Sequence, residues 1–368
     1  MKPLIVAGNG IRLAGEQKRF RELIDQWQVP FVTTWTGQDL IPTDHHLNTG
    51  VIGMCGQPGA NKAVQECDFL LAIGTHLSIP QTTTLTDQFA KDAQILVIDV
   101  DKDQTRNMNV RVDVEVNMNL REWLGAEDRI YSSPENWRSH CAELKKLNQV
   151  GNPRASSGIN SYVFNDLMTR QLPEGTCMVI DGGGTALYTG FQSSYIKEGS
   201  RLICSTSMSA MGSGLPESVG ACLANGRKLT TCLIGDGSLM LNLQELQTIY
   251  HLGIPIKIFV INNQGYLAIR HTQEGFLENH HTGVGGPKDE SLSFPEIQRL
   301  AAAFKLPYFR IFRKENAKEI IARVLDGPNP VICEVICPPD QEMLWKQSFK
   351  KEGDRFIPQT LDNMVRSQ

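Results

Sequence analysis

Short apolar runs alternate with stretches of helical periodicity along the first half of the chain. The predicted strands there cover 4–7, 31–34, 69–73 and 95–98. Between the first two strands, Phe20, Leu23, Ile24 and Trp27 recur at helical spacing, which predicts a helix with one buried face. From 110 to 116, valines alternate with polar residues, a pattern typical of a half-exposed edge strand.

The second half of the chain shows the same alternation. Its predicted strands cover 177–180, 202–205, 230–234, 256–261, 308–311 and 331–335. A predicted helix near 294–304 carries an apolar stripe at Phe294, Ile297, Leu300, Ala301 and Phe304, which we interpret as core. Alternating strands and helices predict an α/β protein with two doubly wound parallel-sheet domains.

A domain boundary is predicted at 151–158, where the sequence Gly-Asn-Pro-Arg-Ala-Ser-Ser-Gly favours an extended, flexible linker. We therefore expect a first domain at 1–126, a connector at 127–160, a second domain at 161–343 and a C-terminal tail at 344–368. The tail mixes Lys, Asp and Pro, so we expect it to lie on the surface.

Two polar motifs follow predicted strands of the second domain. Gly235-Asp236-Gly237 comes directly after one strand, and Asn262-Asn263-Gln264-Gly265 follows another after 24 intervening residues. Asp236 offers a carboxylate, Asn263 an amide oxygen and Gly265 a backbone carbonyl, which are the ligands that magnesium prefers. Each motif alone is a common turn, but two of them at the ligand-binding edge of parallel strands predict a divalent cation site.

The same motifs suit a diphosphate. Gly237 has no Cβ and would let the backbone approach an anion closely. A helix beginning near Ser238 would direct free N–H groups and its positive dipole end at that anion. Lys and Arg are absent from 202–226 and from 229–256. The predicted diphosphate must therefore be neutralised by the metal and the helix terminus, unlike the phosphate in a P-loop, where a Lys follows the glycines.

Composition narrows the functional classes. The 368 residues carry a formal charge of −4 and no basic tract, which argues against binding to nucleic acid or to a membrane surface. No apolar run is long enough to span a bilayer, and the start of the sequence lacks the features of a signal peptide. The nine cysteines are scattered singly, which predicts buried, reduced thiols in a cytoplasmic protein. The pairs His45-His46 and His280-His281 lack metal-binding spacing, although one of the latter could line a substrate pocket.

With these motifs in place, the sequence resembles the thiamine diphosphate enzymes, and in particular the acetolactate synthase-like members. Gly-Asp-Gly, 24 residues and Asn-Asn resemble the family's cofactor signature. Residues 205–216, Ser-Thr-Ser-Met-Ser-Ala-Met-Gly-Ser-Gly-Leu-Pro, resemble its cofactor loop. Residues 6–12 and 95–101 resemble its middle domain, and 330–335 resemble its last strand. The resemblance implies a middle domain at 1–126 and a thiamine diphosphate-binding domain at 161–343.

The resemblance also implies which residues contact the cofactor. They are expected to be Gly183, Met208, Met211, Gly235, Gly237, Ser238 and Tyr266, with Asp236, Asn263 and Gly265 on the metal. Met211 is the expected wedge that bends the cofactor into a V, with Met208 as the second choice. The family often has Gln-His where this chain has Gly184-Thr185, which puts polar contacts to a substrate in doubt. Glu274 stands where acetohydroxyacid synthases have a Trp that helps to select the second ketoacid.

A third, pyrimidine-binding domain of the family has no counterpart in this sequence. In the family it supplies the glutamate that promotes ylide formation on the cofactor, and the resemblance implies that this activating Glu is not in this chain. Glu217 lies at a predicted helix start and is better explained as a partner of the helix dipole than as a substitute acid. Without a partner, an apolar face carrying Met208, Met211 and Leu215 would be exposed and would favour self-association.

The first functional hypothesis is therefore one subunit of a split 2-ketoacid lyase or carboligase, which binds thiamine diphosphate and magnesium and needs a pyrimidine-domain polypeptide. A non-catalytic cofactor-binding or assembly module is the second hypothesis, and a truncated product of a full-length enzyme is the third. A nucleotide-binding dehydrogenase ranks last, because Gly8-Asn9-Gly10 lacks the third glycine of that fingerprint. FAD binding stays open, since some acetolactate synthases bind FAD at the middle domain and others do not.

Overall fold

The computed structural model describes residues 1–126, 132–353 and 355–366. It divides the chain into two compact units. Unit 1 is Met1–Gln149 together with the segment from Trp345 onward, and unit 2 is Val150–Leu344. The first five residues of the predicted connector, 127–131, lie outside the described residues.

Unit 1 is built on a six-stranded parallel sheet. Its strands are β1 (Pro3–Ala7), β2 (Phe31–Thr33), β3 (Asn48–Val51), β4 (Phe69–Ile73), β5 (Gln94–Asp99) and β6 (Val114–Asn117). Its helices are α1 (Gly10–Leu13), α2 (Gln17–Trp27), α3 (Pro58–Glu66), α4 (Ile79–Thr82), α5 (Lys102–Arg106), α6 (Leu120–Ala126) and α7 (Glu135–Lys146). The strand order β3-β2-β1-β4-β5-β6 is a doubly wound topology.

Two apolar clusters cover the faces of this sheet. The predicted stripe of α2, with Phe20, Leu23, Ile24 and Trp27, is buried in one of them. Helix α7 belongs to the predicted connector, yet its Trp137 is buried in the other cluster. Strand β6 lies at the edge of the sheet as predicted, but it begins four residues later than the alternation of valines, at Val114.

Unit 2 contains a second six-stranded parallel sheet. Its strands are β7 (Cys177–Ile180), β8 (Arg201–Ile203), β9 (Thr230–Gly235), β10 (Ile256–Asn262), β11 (Tyr308–Ile311) and β12 (Val331–Ile336). Its helices are α8 (Ser161–Gln171), α9 (Gly184–Ser193), α10 (Gly214–Ala224), α11 (Asp236–Leu239), α12 (Glu245–Leu252), α13 (Leu267–Phe276), α14 (Ile297–Ala303) and α15 (Lys314–Leu325). Each strand of this sheet falls on a run predicted from the sequence, so two doubly wound α/β domains are confirmed.

The strand order of unit 2, β11-β12-β10-β9-β7-β8, sets the position of the site. After β7 the chain crosses to β8 on one side and then returns to β9 on the other. Parallel sheets bind ligands at the carboxyl ends of the strands where the crossover direction changes. Because β7, β9 and β10 are neighbours, Asp181, Asp236 and Asn263, which lie at their carboxyl ends, converge at this edge.

The segment after Leu344 forms two short antiparallel pairs in unit 1. Strand β13 (Trp345–Lys346) pairs with β16 (Val365–Arg366), and β14 (Phe349–Glu352) pairs with β15 (Arg355–Pro358). Single-turn 3-10 helices lie at Trp35–Gly37, Thr86–Gln88, Met240–Asn242 and Leu361–Asn363. Among the described residues, no helix has the length and apolar character that a bilayer crossing requires. All nine cysteines are buried and none forms a disulfide, as expected.

Candidate cation and diphosphate site

A cleft opens at the carboxyl edge of β7, β9 and β10. Its lining contains most of the residues that the sequence analysis assigned to cofactor or metal: Gly183, Met211, Gly235, Asp236, Gly237, Ser238, Asn263, Gly265 and Tyr266. Much of the remaining wall is formed by Thr185, Leu267, Ala268 and Ile269. Residues from four separate loops and helix starts therefore meet here.

Asp236 joins two of the loops that form the cleft. It is the first residue of α11, and only 3% of its surface is exposed. Its Oδ1 accepts the N–H of Gly237 at 2.8 Å, and its Oδ2 accepts the N–H of Gly265 at 2.9 Å. The carboxylate is thereby fixed in direction, and the loop after β10 is held against the loop after β9.

Asn263 lies beside Asp236 at the end of β10 and is 1% exposed. Its Nδ2 donates to Thr185 Oγ1 at 3.3 Å. Its Oδ1 is buried and accepts no hydrogen bond from the described residues. A buried amide oxygen without a partner costs on the order of 1–3 kcal/mol, so such an atom calls for a ligand. An amide oxygen and a carboxylate at one cleft fit a hard divalent cation.

The carbonyl of Gly265 completes the predicted ligand set. It accepts the N–H of Leu267 at 3.1 Å, which leaves one lone pair for a cation. Gly265 itself has a φ of +122°, and a Cβ there would lie 2.4 Å from the carbonyl oxygen of Val284. Only glycine fits this position, for reasons of both conformation and space.

Burial raises the pKa of Asp236 to about 7. Hydrogen bonds from the N–H groups of Gly237 and Gly265, followed by the charge of Arg270, act in the opposite direction. A divalent cation favours the ionised carboxylate and would draw this pKa down again. The site is therefore electrostatically suited to a cation, which would replace a proton.

Asp181 ties a third segment to the cleft. It follows β7 directly and is fully buried. Its Oδ2 accepts the N–H of Gly183 at 2.7 Å, and its Oδ1 accepts the N–H of Gly214 at 2.9 Å. Burial raises the pKa of this carboxyl group, although these bonds and one from Ser238 oppose the effect. From the sequence, the turn from Asp181 to Thr185 was expected only to let a diphosphate approach closely.

The glycines of the cleft are required mainly by neighbouring side chains. A Cβ on Gly237 would lie 2.3 Å from the ring of Tyr266, and one on Gly183 would lie 2.2 Å from Ser238 Oγ. The Tyr266 ring in turn packs edge-on against Phe294, with centroids 5.5 Å apart. Gly237 thus makes room for an aromatic wall of the cleft as well as for a ligand.

The helix predicted near Ser238 begins two residues earlier. Helix α11 covers Asp236–Leu239, and the 3-10 turn Met240–Asn242 continues it. Because a single turn of α-helix adds up few peptide dipoles, its contribution to anion binding is smaller than a long helix would provide. The individual N–H groups at this turn, rather than a macrodipole, are what the structure offers to a diphosphate.

The loop around Met211 departs from two expectations. Met211 is half-buried and lines the cleft. Met208 is 82% exposed and, unlike the other residues expected to contact the cofactor, lies outside that lining, so its contact with the cofactor stays a prediction. Leu215 was expected on an exposed face, but it is fully buried, because the first turn of α10 packs into the core of unit 2.

Arg270, which lies on α13 and is 2% exposed, was not predicted from the sequence. Burial lowers the pKa of its guanidinium, and the charges of Asp236 and Glu274 act in the opposite direction. The available signal was a charged residue three positions after Leu267, on the buried face of the helix.

Glu274, on the same helix, lies 3.2 Å from Nε2 of His281, whose side chain is 4% exposed. Neither member of this pair lines the cleft.

Comparison with known proteins agrees with the geometry. Residues 1–126 match the model of the thiamine pyrophosphate enzyme central domain, and residues 182–335 match that of the C-terminal TPP binding domain. Acetolactate synthase 1 of Zea mays is 28% identical over 353 residues, covering 93% of this chain and 54% of that protein. Acetolactate synthase 3 of Brassica napus is 29% identical, with coverages of 93% and 53%.

The acetolactate synthase large subunit of Pyropia yezoensis is 28% identical, covering 91% of this chain and 57% of that protein. The chain thus spans about half the length of the curated relatives it matches. Two consecutive domain matches and a cleft with the expected donor set lead to one conclusion: the chain belongs to the thiamine pyrophosphate enzyme family, as an acetolactate synthase-like member.

Proposed function

We propose that this chain forms the thiamine diphosphate- and magnesium-binding part of an acetolactate synthase-like enzyme that acts on 2-ketoacids. The observation that carries the proposal is the pairing of a buried carboxylate, Asp236, with the unpartnered Oδ1 of Asn263. Both lie inside the segment that matches the TPP binding domain. A lyase or a carboligase reaction is consistent with this site.

In this proposal, Asp236, Asn263 and the carbonyl of Gly265 hold magnesium, which also binds the diphosphate. The N–H groups at the start of α11 and the part of the cleft lined by Gly183 receive the phosphate oxygens. The thiamine diphosphate supplies an electron sink for breaking and forming carbon–carbon bonds next to a ketone. Met211 supports the cofactor as an apolar wedge, and Tyr266 closes one wall.

The proposal includes a pyrimidine domain contributed by a partner polypeptide. The support for it is that the relatives are about twice as long as this chain, together with the family's use of a glutamate from that domain.

Asp181 is held by backbone N–H groups of Gly183 and Gly214 and is fully buried, so we assign it to the architecture of the cleft.

Calorimetry tests the binding part of the proposal. The chain is titrated with thiamine diphosphate in the presence of Mg²⁺, alongside Asp236→Asn and Asn263→Ala. Asp166→Asn is the matched control, because it removes a carboxylate that pairs with Arg170 on α8 and does not line the cleft. We expect saturable binding that both cleft variants abolish and the control retains. Binding that survives Asp236→Asn unchanged would contradict the metal assignment.

The catalytic part needs the assembled enzyme. The tagged chain is purified from its own host together with the proteins that remain bound to it. The release of CO₂ from pyruvate is then measured in the presence of Mg²⁺ and thiamine diphosphate. Turnover that disappears in the Asp236→Asn version of the same assembly supports the proposal. A cofactor-loaded assembly that consumes neither pyruvate nor 2-ketobutyrate would instead favour a non-catalytic module.

A further inference from the structure

Arg270 is a buried cation held mainly by backbone carbonyls. Its Nη2 donates to the carbonyl oxygens of Asn263 at 2.8 Å and Pro339 at 3.0 Å. Its Nη1 lies 3.2 Å from the oxygen of Gln264, 3.3 Å from that of Val284 and 3.4 Å from that of Gly285. The guanidinium therefore connects three separate segments of unit 2, one of which is the cation loop Asn263-Gln264-Gly265.

The cation loop adopts a conformation that needs external support. Gln264 has a φ of +63°, in the left-handed region that is costly for a residue with a side chain. Such a residue persists where its surroundings over-determine its conformation. The carbonyls on both sides of Gln264 point at Arg270, so the guanidinium is the group that holds this turn.

Planarity of the peptide bond carries the effect across to the cleft. In a trans peptide the C=O and the N–H point in opposite directions. The Gln264 carbonyl points at Arg270, and the N–H of Gly265 in the same peptide donates to Asp236 Oδ2 at 2.9 Å. One peptide earlier, the Asn263 carbonyl points at Arg270, and the N–H of Gln264 donates to Asn262 Oδ1 at 3.2 Å.

We propose that Arg270 is a positioning residue that holds the cation loop in its metal-binding conformation before any ligand arrives. Through two successive peptides it sets the direction of the Asp236 carboxylate and the place of Asn263. The inference deepens the proposed function and rests on it, because it assigns the loop's conformation to the binding of Mg²⁺ and thiamine diphosphate.

A lysine cannot reproduce this arrangement. The guanidinium is planar and distributes its N–H donors over two nitrogens that face different segments, whereas an ammonium concentrates three donors at one point. Arg270→Lys therefore retains the charge and much of the packing, but loses the simultaneous hold on the loop and on Pro339. This variant separates the geometry of the hydrogen bonds from the presence of a cation.

Unit 2 offers a matched control. Lys257, the second residue of β10, is also a fully buried cation, and its Nζ donates to the carbonyls of Asp326, Gly327 and Asn329 at 3.3, 3.0 and 2.7 Å. It precedes Asn262 by five residues of strand, about 16 Å at roughly 3.3 Å per residue. Lys257→Met should therefore cost stability without reaching the cation loop.

The first experiment needs no ligand. Hydrogen–deuterium exchange of the peptide 262–269 is measured in the wild-type chain, Arg270→Lys and Lys257→Met. We expect the Gly265 amide to exchange at least tenfold faster in Arg270→Lys and unchanged in Lys257→Met. Equal exchange in wild type and a folded Arg270→Lys overturns the proposal. If Arg270→Lys does not fold, Gly286→Ala is used instead. A Cβ at position 286 would lie 2.8 Å from Nη1 of Arg270 and would displace the guanidinium. Unchanged exchange of the Gly265 amide in Gly286→Ala also overturns the proposal.

The second experiment titrates the same variants with Mg²⁺ and thiamine diphosphate. Removing a group that orients metal ligands typically costs about 10- to 100-fold in metal affinity. We expect a loss of that size in Arg270→Lys and less than a threefold change in Lys257→Met. If the two variants lose affinity equally and have equal melting temperatures, Arg270 only stabilises the fold and does not position the cation loop. A wild-type chain that binds no cofactor contradicts the proposed function, and the exchange result then decides the role of Arg270 separately.

Discussion

The side-chain amide of Asn263 donates from Nδ2 to the hydroxyl of Thr185 at 3.3 Å, across 78 positions of sequence. This bond determines which atom of the amide faces the cleft, because it engages the nitrogen and leaves Oδ1 buried and without a partner. Thr185 occupies a position at which the family often has a histidine. In the proposed site, Thr185 therefore orients the amide oxygen of Asn263 toward the cation.

Replacement of Thr185 tests this relationship. We expect Thr185→Val to weaken the binding of Mg²⁺ and thiamine diphosphate by roughly five- to tenfold, since a single hydrogen bond of this type contributes about 1 kcal/mol. Thr185→Ser keeps the hydroxyl and should bind as the wild type does. Calorimetric titration of both variants is the measurement, and equal affinities for Val and Ser would contradict the orienting role.

The burial of Asp236 predicts a pH-dependent stability of the metal-free chain. Its pKa in the folded state, about 7, lies above the value near 3.9 of an unfolded carboxyl group. The folded state therefore binds more protons between about pH 4 and pH 7. The contribution of this group to stability is complete below the unfolded pKa and is lost as the pH rises through about 7.

Asp236→Asn removes this titration, so we expect the melting temperature of the metal-free variant to fall by less between pH 5 and pH 8 than that of the wild type. At pH 5 the variant should melt below the wild type, because an amide has only one acceptor oxygen for the N–H groups of Gly237 and Gly265. At pH 8, Mg²⁺ and thiamine diphosphate should raise the melting temperature of the wild type more than that of the variant, because only the carboxylate binds the cation well. Thermal melts at both pH values, with and without ligand, provide the test. An equal change in melting temperature between pH 5 and pH 8 in the wild type and the variant would contradict this prediction.

Gly237 is required by the ring of Tyr266. A Cβ placed there would lie 2.3 Å from that ring, so Gly237→Ala forces the ring to move and should cost about 1–3 kcal/mol, as overpacking typically does. Gly275 on α13 is the matched control, because a Cβ there would meet no atom within 4 Å. Gly275→Ala should leave stability unchanged or raise it. Denaturant unfolding of the two variants compares them directly.

The nine cysteines should be unreactive in the folded chain. All are buried, and burial raises the pKa of Cys67, Cys141 and Cys204 to about 12, so the thiolate is scarce at neutral pH. We expect a thiol reagent such as Ellman's reagent to modify fewer than one thiol per chain within minutes under native conditions. All nine should react in guanidinium chloride, and rapid native labelling would show that the units open readily.

The sequence alone predicted the features that depend on neighbours along the chain. Apolar runs marked the six strands of the unit 2 sheet and four strands of the unit 1 sheet, whereas β3 was not predicted. The stripe from Phe20 to Trp27 marked the buried face of α2, and the two strand-end motifs placed Asp236 and Asn263 as candidate metal ligands. These predictions rest on the period of two in strands, the period of 3.6 in helices and the preference of oxygen ligands for hard cations. They need no knowledge of which segments meet in space.

What only the tertiary structure decided concerns residues brought together from distant parts of the chain. The strand order places β7 between β8 and β9, and so brings Thr185 to Asn263 and Gly214 to Asp181. In the sequence, Arg270 is an ordinary helix residue, and only the fold shows its five carbonyl partners. The residues on either side of Leu215 in the sequence do not indicate whether its side chain is exposed or buried. The physical reason is that burial and hydrogen-bond partners depend on the crossover topology, which local periodicity does not encode.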